Sequence, residues 1–105
     1  MTEKQKMLMG ILYNAEDQAL IEERNHAKSL TRQFNEHWED KGRRNYLIGQ
    51  IFGSLGKNVH LEAPIYLDYG YRTTIGSDFF SNFNLTILDL SLIHISEPTR
   101  LRCIS

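Results

Sequence analysis

After Gly56 the apolar residues recur every six positions. Leu61 and Leu67 are six apart, as are Val59, Ile65 and Tyr71; after an offset of two residues, Ile75, Ser81 and Ile87 take up the same step. An amphipathic helix repeats at about 3.6 and a lone strand at about 2, so neither produces a step of six. A hexapeptide period with an inward-pointing apolar residue is the pattern of a parallel β-helix, whose triangular coils use three hexapeptides each. Asp68, Gly70, Gly76, Asp78, Asn82 and Asn84 are residues suited to the tight corners of such a coil. Fewer than two coils fit between Val59 and Asp89.

Before Gly56 the spacing is helical. Met7, Leu8, Ile11 and Leu12 form one stripe, and Thr2 with Gln5 makes a capping-box pattern, which together predict a helix from about Glu3 to Leu12. Asn14 to Asp17 reads as a break and a new cap. Leu20, Ala27, Leu30 and Phe34 then predict an amphipathic helix of four to five turns. Asn35 to Gly42 is polar apart from Trp38 and reads as a connection. A third helix places Leu47, Ile48, Ile51, Phe52 and Leu55 on one face, with Gly56 as its left-handed C-terminal residue. The intervening charges, such as Glu22, Glu23, Lys28 and Arg32, read as a solvated face. Three short helices in 55 residues make a thin core and need something to pack against. The predicted class is α+β, with a leader of three short helices over 1–56 and the first one to two coils of a parallel β-helix over 57–89.

Composition removes several functions. With 105 residues the chain allows one domain, and 41% apolar with 24% charged residues is the balance of a folded protein. Twelve basic and thirteen acidic side chains are interspersed, giving a net charge of −1 and no basic block for nucleic acid or an anionic membrane. No apolar run approaches the roughly 20 residues of a membrane span, and the N-terminal residues lead to no signal-peptide core. Cys103 is the single cysteine, so no intramolecular disulfide can form. These features predict a cytoplasmic protein. His26, His37 and His60 lack ligand spacing with any Cys or acid cluster, so no metal is expected; His60 is expected to be a surface histidine.

Two stretches carry a family resemblance. The first is TEKQKMLMGILYNA over residues 2–15, with Arg24 and AKSLTRQFN over 27–35. The second is EAPIYLDYG over 62–70, continuing through the pattern D-Y-G-x-x-x-x-I-G-x-x-F-x-x-N-F-N over 68–84. Together they resemble the maltose/galactoside O-acetyltransferase family, and the resemblance spans Thr2 to Asp89. It implies a left-handed β-helix, a homotrimer with active sites between subunits, a sugar acceptor, and acetyl-CoA as co-substrate without a metal. It also implies direct acetyl transfer, in which a histidine on a later coil takes the hydroxyl proton as the oxygen attacks the thioester. That histidine has no counterpart here, nor do the CoA-binding coils, so the resemblance implies no catalytic or cofactor-binding residue in this chain and no activity for it alone.

The resemblance assigns acceptor binding to Asn82, Asp68 and Arg24, with Phe80 as an aromatic wall. Asp17 lies near a leader acid that contacts acceptor, although the alignment sets Ala15 at that point. Each residue also has a structural reading. Asn82 and Asn84 suit left-handed corners, the reading preferred for Asn84; Asp68 can cap a turn; Phe79, Phe80 and Phe83 are packing residues first. A non-catalytic packing or assembly module is the alternative function.

From Leu90 the family pattern stops. Residues 90–100 read LSLIHISEPTR, which resembles the in-frame translation of a transposase sequencing adapter. Leu101 to Cys103 then correspond to an index and Ile104-Ser105 to the following adapter bases. Residues 90–105 are therefore expected to be a non-native tail. On that reading His94 is not the missing base and Cys103 says nothing of redox compartment, although Leu90, Leu92, Ile93 and Ile95 still have the alternation of a strand.

Overall fold

The computed structural model describes residues 1–90 and 92–95, and the backbone of 103–104; the rest of the tail lies outside the described residues. Three helices come first: α1 (Glu3–Leu8), α2 (Gln18–Glu36) and α3 (Lys41–Ile51). Among the described residues eight short strands follow: β1 (Ser54–Leu55), β2 (His60–Leu61), β3 (Ile65–Leu67), β4 (Thr73–Ile75), β5 (Phe80–Ser81), β6 (Leu85–Ile87), β7 (Ile93–Ile95) and β8 (Cys103–Ile104).

The Thr2–Gln5 capping box opens α1 as the sequence predicts, its hydroxyl accepting from the Gln5 N–H at 3.0 Å. The helix ends four residues earlier than the apolar stripe suggests. Gly10 sits at φ +74 and donates to the Met7 carbonyl while Ile11 donates to that of Lys6, a Schellman closure. Only Met7 of the stripe is buried, and Leu12 is 95% exposed. Asp17 caps α2 through the Ala19 N–H at 3.2 Å. That helix runs through Asn35 and Glu36, so the connection shortens to 37–40, and Asp40 caps α3 through the Arg43 N–H at 3.1 Å.

The third helix also stops early. It ends at Ile51; Phe52 is extended and Leu55 lies in β1. Gly56 is not left-handed. A Cβ there would collide with the Gly76–Ser77 backbone of the neighbouring round, so this glycine is needed for close approach.

All strand pairs are parallel, and the strands visit three sheets in turn: β1-β4-β7, β2-β5 and β3-β6-β8. Ser54 pairs with Thr74, His60 with Phe80 and Ile65 with Leu85, so one round takes 20 residues. Because β1 starts the first round, β1–β3 and β4–β6 form two rounds, the upper end of the one to two coils expected. The step of six fails at Tyr71, which is 36% exposed in the β3–β4 corner; Thr73 points inward instead. The two-residue offset is absorbed in that corner.

The rounds enclose Leu61, Ile65, Leu67, Ile75, Phe79, Leu85 and Ile87, which join Phe34, Leu47, Ile48 and Ile51 of the helices in one core. The helices also close the open edge of the first round. Asn35 accepts from the Ile65 N–H at 2.8 Å and donates to the Ile65 carbonyl at 3.0 Å, while Trp38 Nε1 donates to the Leu61 carbonyl at 2.7 Å. Side chains thus take the hydrogen bonds that an earlier strand would have made. No helix among the described residues is long and apolar enough to cross a membrane.

Candidate functional site

The β3–β4 corner meets the α1–α2 connection at a small second core of Met7, Leu20 and Tyr69, with Tyr13 packed against it. Arg24, on α2, reaches this junction. One of its guanidinium nitrogens donates to the Tyr69 hydroxyl and the other to the Ala15 carbonyl, both at 2.8 Å. The guanidinium carbon lies 5.8 Å from the centre of the Tyr69 ring. The hydrogen bond to the Tyr69 hydroxyl, chiefly, and the negative charges of Glu16 and Asp68 push Arg24 above its ordinary value, so it stays cationic at any working pH. Burial pushes the Tyr69 phenol up, with the Arg24 hydrogen bond opposing. The result is a fixed cation beside a neutral hydroxyl and a carboxylate.

Tyr69 also meets Tyr71, edge to face at 5.9 Å between ring centres. Lys4 lies 5.2 Å above the Tyr71 ring and 2.8 Å from a Glu23 carboxylate oxygen. Burial and the Glu23 carboxylate push the Tyr71 phenol well up. A cavity of about 450 Å³ opens here, lined by both tyrosines with Glu23, His26 and Gln50.

Phe80 and Asn82 stand on another wall. The Phe80 ring stacks on His60 at 5.2 Å with an interplanar angle of 9°, and Trp38 meets His60 edge-on at 6.1 Å. One face of Phe80 is therefore occupied by imidazole. His60 Nε2 lies 3.0 Å from a Glu62 oxygen. His60 thus lies at the surface, as expected, but also enters a pairing and a stack; its i, i+2 spacing from Glu62 is the signal in the sequence for that pairing. Asn82 is half-buried after β5 and not left-handed, whereas Asn84 adopts φ +69 and Asp78 φ +60, as corner residues do.

The structure therefore gathers Arg24 and Asp68 at one junction, with Ala15 holding the arginine, and carries Phe80 on β5 of a separate sheet with Asn82 just beyond that strand. Asp17 stands at the start of α2, where its carboxylate holds the helix cap. Sequence reasoning missed Tyr69 as the partner of Arg24, although it lies within the quoted D-Y-G motif. Among the described residues, no three His, Cys, Asp or Glu side chains are grouped to hold a metal.

Residues 6–56 match the maltose acetyltransferase hexapeptide capping motif. The crystal structure of a maltose O-acetyltransferase from Clostridium difficile superimposes with a TM-score of 0.90 and 42% identity, covering 95% of this chain and 54% of that one. By this motif and this likeness the chain is similar to the maltose/galactoside O-acetyltransferases. Galactoside O-acetyltransferase of Escherichia coli is 36% identical over 94 residues, 89% of this chain and 46% of the relative. A hexapeptide-repeat acetyltransferase of Vibrio cholerae, solved with acetyl-CoA, superimposes at a TM-score of 0.81 and 29% identity over 91% of this chain and 52% of that one. The chain spans about half the length of the curated relatives it matches. The matched segment includes Asn35 and Trp38, whose side chains bond to Ile65 and Leu61 of the first round.

Proposed function

We propose that this chain is the acceptor-side part of a sugar O-acetyltransferase, which transfers an acetyl group from acetyl-CoA to a hydroxyl of maltose, a galactoside or a similar sugar. Its strand rounds then form a left-handed parallel β-helix, with 1–56 as the helical domain, 57–89 as the start of the hexapeptide repeat and 90–105 as a non-native tail. Arg24, Asp68, Asn82, Phe80 and Asp17 contact the acceptor. The general-base histidine and the CoA-binding coils are not among these 105 residues, the intact enzyme is a cytoplasmic homotrimer, and this chain does not turn over alone.

The observation that carries the reading is the Arg24–Tyr69–Asp68 junction. A permanent cation, a neutral phenol and a carboxylate held around one corner are the mixed donors and acceptors that a polyhydroxyl ligand needs. Arg24 and the Tyr69 hydroxyl are bonded to each other before any ligand arrives. Titration with maltose and with methyl galactoside, followed by backbone amide shifts, tests it. Asp68 and Asn82 should move together with one saturation curve, and Arg24→Gln should weaken that curve. Amides unmoved at saturating sugar leave only the packing-module reading. An assay for free CoA thiol should show no turnover by this chain; turnover would refute the assignment of base and CoA site to other sequence.

A further inference from the structure

Asp89 follows β6 and is 0% exposed, yet the acceptor reading gives it no role. Among the described residues no Lys, Arg or His forms an ion pair with it. Its two oxygens are both used. One accepts from the Tyr69 backbone N–H at 2.8 Å, and the other from the Thr73 hydroxyl at 3.1 Å. Tyr69 and Thr73 are the two ends of the β3–β4 corner, and the Thr73 N–H donates back to the Gly70 carbonyl at 3.0 Å. Gly70 takes φ +80 there, with the Ile51 carbonyl oxygen 2.5 Å from where a Cβ would stand.

This corner is the one that absorbs the two extra residues, so its path is not dictated by the hexapeptide step. A carboxylate from the next round ties both of its ends. A buried charge without a cation is costly, and an apolar side chain would fill the same space more cheaply. What an apolar side chain could not do is hold two donors in a fixed relation. Held this way, Tyr69 offers its hydroxyl to Arg24, and Asp68 leaves the strand beside it.

We infer that Asp89 is the positioning residue of the acceptor wall: by clamping Tyr69 and Thr73 it sets the corner on which Arg24 and Asp68 are arranged. The inference rests on the acceptor reading above. It acts through backbone and neighbour, not through contact with sugar.

The test compares this chain with its Asp89→Leu, Asp89→Asn and Thr73→Val variants by amide exchange and NMR. Asp89→Leu should speed exchange at the Tyr69 amide by about tenfold or more and release the slowed Arg24 side-chain N–H signal, while the Ile65 and Leu85 amides keep their protection. Asp89→Asn retains an oxygen for the Tyr69 N–H and should restore both signals. A folded Asp89→Leu chain with unchanged Tyr69 and Arg24 signals overturns the inference. If the leucine variant does not fold, Thr73→Val decides: it should loosen the Arg24 signal, and an unchanged signal overturns the inference equally. Maltose separates the two claims. No amide response in the unsubstituted chain sinks the acceptor reading, whereas an undiminished response in a variant that has lost the Tyr69–Arg24 signals sinks the positioning role alone.

Discussion

Replacing Phe34 by Ala tests whether the helices and the strand rounds are one cooperative structure. Phe34 is 0% exposed and lies on α2, and its neighbours in the core come from both α3 and the rounds. Deleting a buried phenylalanine ring costs about 3–5 kcal/mol, the lost transfer energy plus the cavity left behind. A chain of 105 residues holds about 5–15 kcal/mol in all. The substitution therefore removes a large fraction of the stability, and Phe34→Leu, which keeps most of the volume, should cost only about 1 kcal/mol. In urea, with a slope of about 1–3 kcal/mol per molar, Phe34→Ala should lower the midpoint by about 2 M at unchanged slope. Amides in α2 and in β3 should lose protection together. A loss under about 1.5 kcal/mol, or protection lost in α2 with β3 untouched, would refute the shared core.

Two glycines should respond in opposite directions. Gly56→Ala drives a Cβ into the Ser77 backbone and should destabilise by about 2 kcal/mol or more, whereas Gly49→Ala, in α3 with nothing within 4 Å, should stabilise by about 0.5–1 kcal/mol; thermal melts of both give the signs. Asn35→Ala leaves the Ile65 N–H and carbonyl without their partner and should cost about 1–3 kcal/mol, read in urea; a change within 0.5 kcal/mol, about the size of a neutral surface substitution, would mean that the first round does not need its stopper. Glu3 bonds Lys6 at 2.7 Å and the Asn14 N–H at 2.6 Å, which hold its carboxyl below the ordinary 4.5. Its contribution is therefore present above pH 4.5 and lost as pH falls through the folded value. The Asn14 amide shift should follow that acid titration, and Glu3→Gln should abolish it.

Much of the architecture was legible because it is periodic. The step of six reports the inner face of the rounds, and Thr2, Asp17 and the helical spacings report the leader, since each is a local constraint. Where the reading failed, a local signal was overruled by one beside it. Gly10 closes α1 although the apolar stripe continues to Leu12. Gly56 looks like a helix end in sequence, but the position is decided by the backbone of Ser77, on the next round. Tyr71 matches the period and is displaced by the longer corner. The candidate site was legible only as residues, not as an assembly. Arg24 and Tyr69 are 45 positions apart, and Asp89 reaches Tyr69 across one 20-residue round, so no short window contains the partnership.

The side chains that seal the first round come earlier in the chain than the strands they seal, Trp38 by 23 positions and Asn35 by 30. Synthesis proceeds at about 5–20 residues per second, so these residues are made roughly one to six seconds before their partners. Helices form in about a microsecond, far inside that interval. The residues that seal the first round are thus already made when its strands emerge, and the shared core with Phe34 closes only once those strands arrive. The edge that would otherwise stay bare has its hydrogen-bond partners waiting in the chain before it forms.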